Sequence, residues 1–112
     1  MHTVVETPRF LADAARLFSE KEREAVVDQI SADPLCGNVV PGGESIRKVR
    51  IAFGGRGKRG GARVMYIFGG KDIPVFLLAA FAKNERDDLT RSELSAMAKA
   101  VNIILANYRR RP

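Results

Sequence analysis

Arg47, Lys48, Arg50, Arg56, Lys58, Arg59 and Arg63 stand against a single acid, Glu44, within twenty consecutive positions. These are the side chains whose type and spacing can do chemistry. Cations packed this densely repel one another, so the arrangement costs stability unless an anion is usually nearby, and phosphate is the commonest such anion. A polyanion is the first partner to consider; an acidic protein also fits, and the bland alternative is a solubilising basic surface. The charge is local. Residues 1–43 are net acidic, and the middle segment alone accounts for the formal net charge of +6.

Other chemistries have little to work with. There is one His, at position 2, and one Cys, at position 36, with no ligand-like spacing, so no metal and no other cofactor is expected. The acids Glu85, Asp87 and Asp88 directly precede a capped helix, where negative charge is already favourable. A Ser-His or Cys-His nucleophile pair lacks candidates, and Cys36 reads as a buried, inert thiol. In the glycine-rich stretch GGRGKRGG, Gly54 to Gly61, Gly57-Lys58 resembles the end of a nucleotide-binding loop. Arg59 stands where Ser or Thr would meet magnesium, and the loop joins two strands instead of opening a helix. It reads as a basic finger, with glycines admitting phosphate close to the backbone and Arg56, Lys58 and Arg59 supplying charge; the plain alternative is an ordinary hairpin loop.

The elements that must position these residues can be read from periodicity. The chain has 112 residues, enough for one domain over its whole length. Thr7, Pro8 and the spacing of Phe10, Leu11, Ala14, Leu17 and Phe18 predict a helix over 8–18. Ser19 with Glu22 opens a second, carrying Ala25, Val26, Val27 and Ile30 and stopped by Asp33-Pro34, and the two helices are expected to form a hairpin. Residues 36–44 read as turn. Strands are expected at 46–53, 62–68 and 73–82, with a short one at 3–6. On the first of the three, Val49, Ile51 and Phe53 share one face while Lys48 and Arg50 share the other. The apolar run 75–81 suits a central strand covered on both faces. A last helix begins at Thr90, capped by Glu93, and buries Leu94, Met97, Val101, Ile104, Leu105 and Tyr108. The fold class is α+β, with an N-terminal helical hairpin and a C-terminal helix packed on a mainly antiparallel sheet.

Pairing of these strands brings Lys48, Arg50, Arg63 and the strand-terminal Lys83-Asn84 to one surface. The stretches IRKVRIAFGGRGKRGGARVMY (46–66) and AKNERDDLT (82–90) resemble the RelE/HigB superfamily of toxins from type II toxin–antitoxin systems, and most closely its HigB-like branch with a Gly-Lys-Arg-Gly-Gly loop. The resemblance follows the element order over about residues 3–108, and its motifs are confined to these two stretches. It implies a small RelE-like domain acting as a ribosome-dependent endoribonuclease that cuts mRNA in the A site and is neutralised by a cognate antitoxin. The family's basic pair on the first strand after the helices matches Lys48 and Arg50, its arginine before an apolar-Tyr strand matches Arg63, and the pair after the central strand matches Lys83 and Asn84. Arg47, Arg56, Lys58, Arg59 and Asn84 are the expected RNA contacts. The better-known RelE pattern has a tyrosine near the C-terminus; at the matching position this chain has Thr90.

The chemistry can also be argued from the residues. Cleavage of RNA by its own 2′-hydroxyl needs a proton acceptor, stabilisation of the extra charge on phosphorus, and a donor to the departing 5′-oxygen. With no His or carboxylate in the basic region, Lys48 is the candidate base, Arg50 and Arg63 stabilise charge, and Lys83 is the candidate donor. Two competing readings are a ParE-like gyrase-poisoning toxin, which shares the fold, and a noncatalytic RNA-binding domain, which would gain from exposed aromatic platforms. Phe53, Phe68, Phe76 and Phe81 read instead as core. The expected partners are the antitoxin, the ribosome and mRNA, with operator DNA contacted only through the antitoxin. The longest apolar run is about half of the roughly 20 residues that a spanning helix needs, and the N-terminus lacks a secretory pattern. No membrane association and a cytoplasmic location are the expectation.

Overall fold

The computed structural model describes residues 2–42, 45–52, 61–83 and 89–109. Three helices pack on a five-stranded mixed sheet, in the order β1 (Val4–Glu6), α1 (Pro8–Leu17), α2 (Glu20–Ala32), β2 (Asn38–Val39), β3 (Ile46–Ile51), β4 (Ala62–Ile67), β5 (Val75–Ala82) and α3 (Arg91–Arg109).

Each helix starts where its side chains satisfy the amides that a helix N-terminus leaves free. The Thr7 hydroxyl accepts from the Phe10 amide at 3.3 Å, with Pro8 entering the first turn. Ser19 and Glu22 form a reciprocal box, at 3.1 and 2.8 Å. Thr90 and Glu93 form another, at 3.1 and 2.9 Å. The first helix stops one residue before the expected Phe18, because Phe18 is already extended and caps it.

Strand order across the sheet is β1-β5-β4-β3-β2. β2, β3, β4 and β5 are successive antiparallel neighbours, and β1 adds in parallel to the far edge of β5. The sequence reading missed β2, whose two residues lie among turn formers and owe their extension to pairing with Arg47 and Lys48. β5 begins at Val75 rather than Ile73, since Pro74 has no amide to give the ladder.

The two sheet faces carry separate cores. Phe10, Ala14, Val26 and Ile30 from α1 and α2 cover Val49, Ile51, Val64, Tyr66 and Leu77 on one face. Met97, Val101 and Leu105 from α3 cover Ile46, Met65, Ile67, Phe76 and Phe81 on the other. The β4–β5 register shifts by one between Met65 and Tyr66, leaving Leu78 as an extra residue on β5. This bulge resets the alternation, so that Phe81 falls on the α3 face and Ala80 on the α1–α2 face. Beyond the end of β1, the outer edge of β5 is met by α1, whose Asp13 carboxylate accepts from the Ala80 amide at 2.9 Å. No helix among the described residues is long and apolar enough to cross a membrane.

Candidate functional site

The α3 face of the sheet is organised in rows that run across the strands. Ile46 stands opposite Ile67, and Ile67 opposite Phe76; these lie in the core under α3. The next row is Lys48, Met65 and Ala79, and the third is Arg50, Arg63 and Phe81. Apolar residues thus give way to cations toward the end of the sheet from which the glycine-rich loop leaves. Lys48 and Arg63 are half-buried and Arg50 is exposed.

The pairing pattern fixes how close these side chains lie. The Val40 amide donates to the Ile46 carbonyl, so the backbone groups of Ile46, and by alternation those of Lys48 and Arg50, face β2 and not β4. Arg50 and Arg63 are therefore a non-hydrogen-bonded pair, the geometry that brings opposed Cα atoms to about 4.5 Å and side chains closest together. Like charges directly opposite one another destabilise a sheet unless a neighbouring group offsets them. Lys48 lies two residues along the same strand face.

Of the residues expected to contact RNA, Arg47 is not brought into this group. It lies on the opposite face of β3, and its Nη1 donates to the Gly37 carbonyl at 2.7 Å. Strand alternation had separated it from Lys48 and Arg50, and the hydrogen bond gives it a place in the loop leading to β2. Lys83 follows the last residue of β5 at the same end of the sheet, exposed, with its amide donating to the Gly61 carbonyl at 3.1 Å. Arg56, Lys58, Arg59 and Asn84 lie outside the described residues, as do Glu85, Asp87 and Asp88. The described residues contain no group of three or more His, Cys, Asp or Glu side chains placed to hold a metal ion.

Tyr66 anchors the site from behind. Its hydroxyl donates to the Pro34 carbonyl at 2.7 Å and accepts from the Gly37 amide at 2.8 Å, and the half-buried Cys36 Sγ lies 3.7 Å away. A Cβ on Gly37 would stand 2.9 Å from both the Lys48 carbonyl and this hydroxyl, so only glycine fits between them. No spacing rule could have found this contact, because Tyr66 and Gly37 are 29 residues apart. Burial, the first cause, pushes the Tyr66 phenol well above its ordinary value near 10. The neutral form is therefore favoured by folding, and the stability it supplies is fully present below pH 10 or so and is lost as pH rises beyond that. Tyr66→Phe is expected to cost about 1–3 kcal/mol at neutral pH, by orphaning the Gly37 amide. A urea titration repeated above pH 10 should show the wild-type advantage shrinking.

Neither Tyr108 nor Thr90 supplies an exposed aromatic ring at the cationic row. Tyr108 meets Phe76 edge-on, with centroids 5.8 Å apart, and Thr90 caps α3. The cations on β3 and β4 are what the described site offers.

Against known families, residues 17–110 match the one described as the RelE toxin of the RelE/RelB toxin–antitoxin system. The chain belongs to the RelE toxin family. The match starts at the end of α1 and runs through α3, so it takes in Lys48, Arg50, Arg63 and Lys83. This protein is thus a toxin of a toxin–antitoxin system, a class in which the toxin is paired with an antitoxin.

Proposed function

We propose that this toxin is a ribosome-dependent endoribonuclease that cleaves mRNA in the A site and so stops translation. The observation that carries the reading is the direct opposition of Arg50 and Arg63, with Lys48 beside them on the same sheet face. Two guanidiniums held this close offer planar, paired donors to one phosphodiester, and they are best satisfied as charge builds on its oxygens during attack by the 2′-hydroxyl. Lys48 takes the proton of that hydroxyl. Lys83, at the end of β5, gives one to the departing 5′-oxygen. Arg56, Lys58, Arg59 and Asn84 extend the contact along the RNA backbone, a sequence-independent role. Dependence on the ribosome suits this chemistry, since a codon held in order on the ribosome supplies the attack geometry that a row of cations on a sheet face does not by itself impose on a flexible strand.

The test is cleavage mapping of a short mRNA in a reconstituted translation system, with and without ribosomes, using wild type and Lys48→Ala. The expected result is cuts within A-site codons that need the ribosome and fall by about 10²-fold or more in the variant. Intact mRNA with wild type overturns the reading. Intact mRNA together with DNA damage on expression in cells points to gyrase poisoning, and ribosome binding without cuts points to a noncatalytic binder.

A further inference from the structure

Attack by a 2′-hydroxyl has a direction. The entering oxygen and the departing 5′-oxygen lie roughly in line through phosphorus, so the group that takes a proton and the group that gives one stand on opposite sides of the phosphate. Lys48 is on β3, Arg63 on β4, and Lys83 just past the end of β5. Neighbouring strands are about 4.8 Å apart, which sets Lys83 two strand spacings inward of Lys48. The nucleotide that carries the attacking hydroxyl therefore extends from Lys48 away from β5, and the strand on that side is β2.

β2 places one polar side chain there. Asn38 stands directly opposite Lys48, and residues so paired share a sheet face. Val40, two positions on, lies in the core under α3, which puts Asn38 on that same side of the sheet. The Val40 amide donates to the Ile46 carbonyl, so that pair, and by alternation Asn38 with Lys48, is hydrogen-bonded, with Cα atoms about 5.5 Å apart. The residue before Asn38 is held at both ends of its backbone: the Gly37 amide donates to the Tyr66 hydroxyl at 2.8 Å, and the Gly37 carbonyl accepts from Arg47 Nη1 at 2.7 Å. Position 38 is thus fixed by its neighbours, while its own carboxamide is exposed and has no hydrogen bond among the described residues. Asn is a residue that strands disfavour, so neither packing nor propensity accounts for it.

We infer that the Asn38 carboxamide contacts the base of the nucleotide on the 5′ side of the cut and sets preference at that position. Lys48, Arg50 and Arg63 only donate hydrogen bonds, which suits phosphate oxygens. A carboxamide both donates and accepts, as the edge of a base does, and it carries no charge that would tie it to the RNA backbone. The inference rests on the reading of this toxin as an endoribonuclease with Lys48 and Lys83 as the proton-transfer pair. It adds a direction for the RNA across the sheet, with the 5′ side over β2.

The experiment gives wild type, Asn38→Ala and Val39→Ala the same set of short mRNAs, varied at every position of the A-site codon, in a reconstituted translation system, and maps the cut ends. On codons that wild type prefers for the base 5′ of the cut, Asn38→Ala should be slower by about fivefold or more, and on the others it should stay within about twofold of wild type. Preference for the base 3′ of the cut should not change. Val39→Ala lies on the same strand with its side chain on the opposite face, and should keep the wild-type profile at both positions. An equal fall of Asn38→Ala on every codon assigns the residue to the pairing of β2 and overturns the inference. An unmoved profile, a change confined to the 3′ base, or the same flattening in Val39→Ala also overturns it. Wild type that cuts no message removes the proposed activity and this inference with it; wild type that cuts, with an unmoved profile in Asn38→Ala, removes this inference alone.

Discussion

Arg50→Ala and Arg63→Ala should each lose roughly 10²–10³-fold in mRNA cleavage, the loss typical of removing one preorganised donor to a developing negative charge. Neither variant should melt below the wild type. The two guanidiniums stand directly opposite each other on neighbouring strands, so deleting either relieves a repulsion, and stability should rise by up to about 1 kcal/mol. Opposite signs for activity and stability are what separates a functional pair from a structural one. The double variant should be hardly more stable than either single one, because the first substitution already removes the repulsion. Single-turnover cleavage on programmed ribosomes and thermal melts of the same preparations measure both. Loss of cleavage together with a clear drop in melting temperature in both variants would assign the pair to the fold.

The second large effect is expected at Gly61→Ala. Gly61 has a φ of +60°, and a Cβ there would lie 2.1 Å from the Ile51 carbonyl oxygen, a clash with backbone that no rotamer relieves. Gly61 also accepts from the Lys83 amide, so the strand ends that carry Arg50, Arg63 and Lys83 meet around it. The substitution should destabilise the fold by about 3 kcal/mol or more. Cleavage should fall with it, because the β3 and β4 ends must part to admit the methyl group. Urea unfolding of Gly61→Ala beside wild type checks the first; a midpoint within experimental error of wild type would mean that the turn rearranges at no cost.

Much of the candidate site was legible in sequence because it depends on local rules. Period-two alternation put Lys48 and Arg50 on one face, hairpin connectivity made Arg63 their neighbour, and Thr7, Ser19 and Thr90 announced their helices through the capping groups that the structure shows in place. Features made by long-range pairing were not legible. β2 is extended only because β3 is there to bond it, Arg47 takes its place from the Gly37 carbonyl, and nothing along β5 marks Leu78 as the extra residue against β4. The bulge matters to the site, since it turns Phe81 toward Arg63 and ends the cationic row against a buried ring.

The parallel pairing of β1 with β5 bears on how the toxin comes into being. Thr7 bonds to Leu77, 70 positions away, and the register runs from Val4 opposite Val75 to Glu6 opposite Leu77. During synthesis β1 has no partner until β5 has left the ribosome, and α1, which rests on β5, has no surface to bury against. Folding is thus tied to contacts distant in sequence, which slows it and places it late. The β3–β4 hairpin can form earlier, but it then presents its cations without the layers that hold them in register. A message truncated before Val75 should therefore yield an unfolded peptide and no toxin.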